Sequence, residues 1–240
     1  MNAGLEDQQI AAPIRQGAFS LHGEAVLPDV SGALWLTDHG ALVVSDLHFE
    51  KGSAYARRGV MLPPYDTAAT LARLADVVAR YAPKVIVALG DSFHDGGGPA
   101  RMGDADRARL RALQQGREWI WISGNHDPEP PEDLGGLCAG EIRLGALTLR
   151  HEPQAGASPG EIAGHLHPVA RVSAPAGTLR RRCFVSDGRR CVMPAFGAFA
   201  GGLNIHDAAC AALFSDAPVV AHVMGRSRIY ATPISRCRGD

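Results

Sequence analysis

Three apolar runs in this chain each end in residues that can hold a cation or move a proton. ALVVS leads into Asp46-Leu47-His48, KVIVALG into Asp91, and EWIWIS into Gly124-Asn125-His126-Asp127. Two further β-like runs end in His151 and in Gly164-His165-Leu166-His167. Carboxylate and amide oxygens with imidazole nitrogens, and no thiolate, are the donors of a borderline or hard divalent cation. Asp46, His48, Asp91, Asn125, His151, His165 and His167 are more ligands than one tetrahedral ion can use. Two ions about 3.5–4 Å apart, bridged by a shared carboxylate, would use them all, and Asp91, alone at its strand end, is the candidate bridge. In an extended backbone, Asp46 with His48 and His165 with His167 would each put both side chains on one face. Singly, each piece has a plainer reading: a capped turn, a GNHD turn that tolerates left-handed backbone, a solvent-facing histidine pair. The order favours a metal centre, because five polar clusters each directly follow a β-run.

The elements that must position these residues are legible in outline. Residues 41–45, 84–90 and 118–123 read as buried strands. Between them, 66–81 reads as an amphipathic helix, with Leu71, Leu74, Val77 and Val78 at helical spacing, Asp66 as N-cap and Pro83 beyond its end. A second helix is expected over 103–116. Strand–helix alternation of this kind predicts right-handed crossovers and a largely parallel sheet, whose carboxyl ends line one crevice. From 141 onward, short β-runs (141–151, 161–163, 168–172, 183–186, 190–194, 219–231) separated by Gly, Pro and Asp turns predict a mostly antiparallel sheet. The composition shift near 128–140 reads as a loop. One domain over 1–240 is expected, with a loose arm over 1–17.

At 240 residues and 46% hydrophobic, the chain can bury a core, which excludes a disordered tail protein. The formal net charge of −1 gives no global push toward nucleic acid or membrane. Five cysteines with no CxxC, acids near the N-terminus and no long apolar run predict a soluble, cytoplasmic protein with reduced thiols. Cys183 and Cys191 are expected to face each other across a hairpin as packed thiols.

In order, Asp46-Leu47-His48, Gly90-Asp91, Gly124-Asn125-His126-Asp127, His151 and Gly164-His165-Leu166-His167 resemble the signature of the calcineurin-like metallophosphoesterases. The likeness spans roughly residues 42–168 and implies a four-layer α/β/β/α sandwich with mixed sheets and a dinuclear site. Longer strings (LVVSDLHFEKGSAYARRG, VALGDSFHD, GEIAGHLHP, MPAFGAFAGGLN) resemble the ligase-associated DNA damage response endonucleases of bacterial repair clusters. That resemblance implies a manganese-dependent phosphodiesterase acting on DNA, with an ATP-dependent DNA ligase, a helicase and an exonuclease as possible partners. Iron, zinc, cobalt or magnesium are alternative metals. It further implies one ion held by Asp46, His48, Asp91 and His167, and another held by Asp91, Asn125, His151 and His165. Hydroxide activated by both ions would attack phosphorus, His126 would assist the leaving oxygen, and Asp127 would orient the His126 ring.

His94, Arg57 and Arg58 are candidate substrate contacts, against loop packing and ordinary surface exposure. Arg180, Arg181, Arg182, Arg189 and Arg190 flank a hairpin and could track a nucleic-acid backbone or form a solvated face. Phe196, Phe199 and the glycines at 201–202 read as core and turn; His22, His39, His206 and His222 have no motif context. Two competing functions remain on the same residues: a nucleotide, cyclic nucleotide or pyrophosphate hydrolase, and a non-catalytic protein-binding scaffold. The intact Asp91, Asn125 and His126 argue against the scaffold.

Overall fold

The computed structural model describes residues 17–129, 132–175, 177–214 and 218–240; the arm expected over 1–17 lies, Gly17 apart, outside them. One sheet contains β1 (Phe19–Leu21), β2 (Glu24–Pro28), β3 (Leu34–Leu36), β4 (Ala41–Val44), β5 (Val85–Leu89), β6 (Glu118–Ile122) and β7 (Leu137–Ala139), side by side in chain order. Tight connections make β1 to β4 antiparallel, whereas β4 to β7 are parallel. Parallel neighbours need long crossovers. Those crossovers carry α1 (Lys51–Ala56), α2 (Asp66–Tyr81), α3 (Gly98–Arg101) and α4 (Asp104–Gln114).

Helix α2 spans the expected residues, and its apolar stripe explains why it docks. Leu71, Leu74, Val77 and Val78 pack on Leu42, Val44, Ile86, Ala88, Trp119 and Trp121. Asp66 is the first helical residue, not the cap, which is Tyr65. Its buried carboxylate accepts from the Gly52 N–H at 3.1 Å, tying α1 to α2.

Strand side chains alternate between faces, so Val43, Val87, Leu89, Ile120 and Ile122 point the other way, into a core shared with a second sheet. That sheet contains β8 (Glu141–Leu144), β9 (Leu147–Arg150), β10 (Glu161–Ala163), β11 (Val169–Ala174), β12 (Gly177–Ser186), β13 (Arg190–Val192), β14 (Val220–Met224) and β15 (Ile229–Pro233). Its order is β15-β14-β12-β13-β10-β9-β8, with β11 paired to β12. Only β9–β10 and β10–β13 are parallel, so the mostly antiparallel expectation holds.

On the outer face of this sheet, Cys183, Val185, Ala221 and Val223 are covered by Ile205, Cys210 and Cys237. The covering segment carries α5 (Ala208–Ala211), a single turn. The α/β/β/α layering is therefore present with a thin fourth layer. Cys183 and Cys191 do not face each other: Cys191 pairs with Ser186, Cys183 with Val223, and the two thiols enter different cores. The first half of β12, Gly177–Arg182, runs past the sheet with β11 as a two-stranded ribbon that the short β-runs did not reveal.

Candidate metal centre

The ends of β4, β5 and β6 lie side by side because the three strands are parallel and in register. Beyond them the loops continue to pair: Asp46 N–H donates to Gly90 O at 3.2 Å, and His48 N–H to Asp91 O at 2.9 Å. From the other sheet, His151 leaves the end of β9 and His165 the end of β10, also parallel neighbours.

The backbone here is not extended, which corrects the geometry expected for the two x-His pairs. Asp46, His48, Asp91, His165 and His167 all have left-handed φ, of 52°, 46°, 46°, 67° and 47°. Each costs on the order of 1–2 kcal/mol for a residue with a Cβ. Glycines admit the close approach: a Cβ at Gly164 would overlap Ser45 Oγ and crowd Asp46, and one at Gly124 would overlap Asp91.

Two donor clusters gather the ligands expected from the sequence, and a third group, His48, His94 and His126, also offers atoms within reach of one ion. In the first, His167 Nε2 lies 3.1 Å from Asp46 Oδ1 and 3.4 Å from His48 Nε2. In the second, His151 Nε2 lies 2.9 Å from Asn125 Oδ1, 3.4 Å from Asp91 Oδ1 and 3.2 Å from His165 Nδ1. Asp46, His48 and His167 offer atoms close enough together to hold one ion, and so do Asp91, His151 and His165. Supporting groups leave those atoms free. His151 Nδ1 donates to Leu89 O at 3.2 Å, turning Nε2 toward the cluster. Asp46 Oδ2 accepts from Ser45 Oγ and from the His165 N–H, while the buried Oδ1 faces His167 Nε2. A buried carboxylate oxygen whose neighbours are imidazole nitrogens, beside a buried His48 Nδ1 with no hydrogen-bond partner, is a donor set that fits a divalent cation.

The titration behaviour fits as well. Burial would raise Asp91, but His151 and the His126 N–H outweigh it and hold the carboxyl down to about 2. Burial pushes His48 down to about 3, only partly offset by Asp46. His151 is the reverse: burial is overcome by Asp91 and Asp46, and its pKa rises to about 9. The site thus gathers anionic carboxylates and one imidazole whose proton is held by them, a proton that a divalent cation would displace.

His126 sits over the second cluster, its Nε2 3.9 Å from Asp91 Oδ2, and is 39% exposed at the side chain. Its Nδ1 donates to the His94 carbonyl at 2.7 Å. Asp127 does not touch that ring, which corrects the orienting role expected for it. Its buried carboxylate instead accepts from the Phe93 N–H at 3.0 Å, and burial raises it to about 7. The backbone of His94 does what the side chain of Asp127 was expected to do.

The His94 ring lies 5.3 Å from that of His126 and 5.7 Å from that of His48, so it joins the site. Arg57 and Arg58 follow α1 in exposed positions, and Arg58 adds to the lowering of the His94 pKa, after burial, Lys51 and His126. A cleft of about 290 Å³ is lined by His48, Lys51, His94, His126, His165 and His167. Lys51, Ser45 and the Leu89 carbonyl were not singled out from the sequence; only Lys51, five residues past Asp46, carries a chemical signal there. Of the arginine runs, Arg180 and Arg182 donate to Gly202, Ala195 and Gly197 carbonyls, and buried Arg190 pairs with Glu161 at 2.8 Å. These three hold loops in place.

A family model described as calcineurin-like phosphoesterase matches residues 41–168, the stretch that carries all seven donor residues. The fold is similar to the crystal structure of Pseudomonas putida nuclease MPE, with a TM-score of 0.67 and 29% identity over 89% of this chain and 98% of that one. YfcE, a phosphoesterase from E. coli, aligns with a TM-score of 0.40 and 14% identity over 81% of this chain and 98% of that one. A search of curated proteins returns no match. Among the described residues no helix is long and apolar enough to cross a membrane.

Proposed function

The chain belongs to the calcineurin-like phosphoesterase family and is a hydrolytic phosphoesterase, and from that premise we propose that it is a divalent-metal-dependent phosphodiesterase that cuts DNA internally. The observation that carries this reading is the meeting of two donor clusters, Asp46/His48/His167 and Asp91/Asn125/His151/His165, at one end of the two sheets. Asp91, at the end of the strand next to the one that leads into Asp46, would be the ligand shared between them. Two divalent ions, manganese foremost, would supply Lewis acidity toward the phosphoryl oxygens and an activated water.

The chain's own groups do the rest. The strained loops fix the ligand atoms before substrate arrives, so no reorganisation is needed when charge develops. His126, with Nδ1 tied to the His94 carbonyl, presents Nε2 to the cleft. From there it donates a proton or hydrogen bond to the leaving oxygen. His94, Lys51 and Arg58 place cationic or donor groups at the mouth for flanking phosphates. Asp127 holds the Ser92–Phe93 backbone and thereby the loop under Asp91.

The nuclease neighbour supports nucleic acid as the substrate. A repair setting, with a DNA ligase, a helicase and an exonuclease as partners, belongs to the same proposal and rests on the motif strings around Asp46 and Asp91. Buried unbridged thiols at Cys183, Cys191, Cys210 and Cys237 suit a reducing cytoplasm. The test compares kcat/KM, with manganese, for circular single-stranded, nicked and duplex DNA, an aryl phosphodiester, a cyclic nucleotide and a nucleoside pyrophosphate. Cleavage of circular single strands is expected. Turnover of the small esters alone would replace DNA with a nucleotide or pyrophosphate substrate.

A further inference from the structure

Formal charge is unevenly spread along the chain. Residues 171–240 contain ten Arg against four Asp, whereas residues 1–170 carry 14 Lys and Arg against 21 Asp and Glu. Part of the basic excess gathers at one place. A groove of about 860 Å³ opens between the β11–β12 ribbon and the β14–β15 turn, with Arg181, Arg226 and Arg236 around Val172, Leu179 and Tyr230. Arg228 lies over the Tyr230 ring at 4.6 Å, and Tyr230 remains 47% exposed. Among the described residues, no carboxylate lies within 4.0 Å of Arg181, Arg226, Arg228 or Arg236, in contrast to Arg80, Arg101, Arg107 and Arg150.

Strand register relates this groove to the metal centre. Ala163, two residues before His165, pairs with Val192, and Val192 with Val185; Cys183, two residues earlier in β12, pairs with Val223, and Val223 with Tyr230. Tyr230 and the β14–β15 turn thus stand at the sheet end from which His165 leaves. Four interstrand steps of about 4.8 Å separate β10 from β15, a span of about 20 Å. At roughly 3.4 Å per stacked nucleotide, that is about six nucleotides.

We propose that this groove is a second binding surface for single-stranded nucleic acid, holding the strand about six nucleotides from the bond cleaved at the metal centre. Unpaired arginines would neutralise phosphates, and the Tyr230–Arg228 pair would stack a base. Arg181 is the member of the 180–182 run that this assigns to substrate, since it lines the groove and its Nη1 donates to the carbonyl of the adjacent Arg180, whereas its two neighbours tie down the 195–202 loop. The inference rests on the nucleic-acid reading above and adds a length requirement to it.

The experiment compares wild type with the triple variant Arg181→Ala/Arg226→Ala/Tyr230→Ala, and with Arg226→Glu alone in case the triple variant folds poorly. Fluorescence anisotropy with labelled oligothymidylates of 4 and 20 nucleotides, in the presence of chelator, reads binding without turnover. Wild type should bind the 20-mer at least tenfold more tightly than the 4-mer. The variants should lose most of that advantage and flatten the salt dependence by about 0.7 in log–log slope per phosphate contact removed. Hydrolysis of an aryl phosphodiester should be unchanged. Equal affinity of wild type for both lengths, an undiminished advantage in both variants, or displacement of the 20-mer by polyglutamate at lower concentration than by oligothymidylate would overturn the groove. A wild type that shows the length-dependent binding yet cuts no nucleic acid would sink the nuclease reading while leaving the groove standing.

Discussion

Asp91 and His126 differ in what their removal should do. The Asp91 carboxylate faces His151 and His126 and receives the His126 N–H. If Asp91 is the shared ligand proposed above, Asp91→Ala should lower bound manganese from two per chain to one or fewer and cut activity by a factor of 10³ or more. His126 differs: its Nδ1 is bound to the His94 carbonyl, and its Nε2, 3.9 Å from Asp91 Oδ2, faces the cleft. His126→Ala should keep both ions and lower kcat by about 10²–10⁴, the range of a lost general acid. Elemental analysis beside kcat on DNA separates the two; a metal-depleted His126→Ala would place that residue among the ligands. The sequence announced both residues, because each stands in a polar cluster after an apolar run. It did not announce that Asp127 serves backbone N–H groups, since a carboxylate beside a histidine in a string has no direction until the loop is folded.

At the scale of elements, the parallel strands bring the loops together and the glycines let them meet. Gly164 has no room for a side chain against Ser45 and Asp46. Gly164→Ala should cost about 1–3 kcal/mol in chemical denaturation, as overpacking does, and weaken manganese affinity at least tenfold. Adding Ser45→Ala should recover part of the affinity; a double variant no better than the single one would mean that the damage lies elsewhere. Strands β4, β5 and β6 and both long helices were legible because their hydrophobic periodicity coincides with their burial. The left-handed backbone at five donor residues was not, since Asp and His tolerate positive φ without requiring it. Nor was the exposed half of β12, whose Arg-rich strand lacks an apolar face.

For the molecule as a whole, the two sheets and their outer layers set a pH response separate from the site. His222 is buried against Phe19, with ring centroids 4.2 Å apart, and burial lowers its pKa to about 4. The unfolded chain, with a histidine near 6.5, binds the proton first. Stability from the neutral ring is therefore complete above about pH 6.5 and lost as pH falls toward 4, by up to about 3 kcal/mol. Urea unfolding between pH 7 and pH 4 should show a smaller decline in His222→Phe than in wild type; parallel curves would remove His222 as the cause. The four-layer arrangement was implied by the family resemblance, whereas the single-turn outer helix was not legible, because four residues, Ala208–Ala211, are too few to show a helical period.

The central claim is that side chains from both sheets hold two cations at one sheet end. Anomalous diffraction from crystals grown with manganese tests it most directly. Two peaks about 3.5–4 Å apart, with Asp91 between them, His48 and His167 on one and Asn125 and His151 on the other, is the expected result. A single peak, or manganese bound away from Asp91, would contradict it.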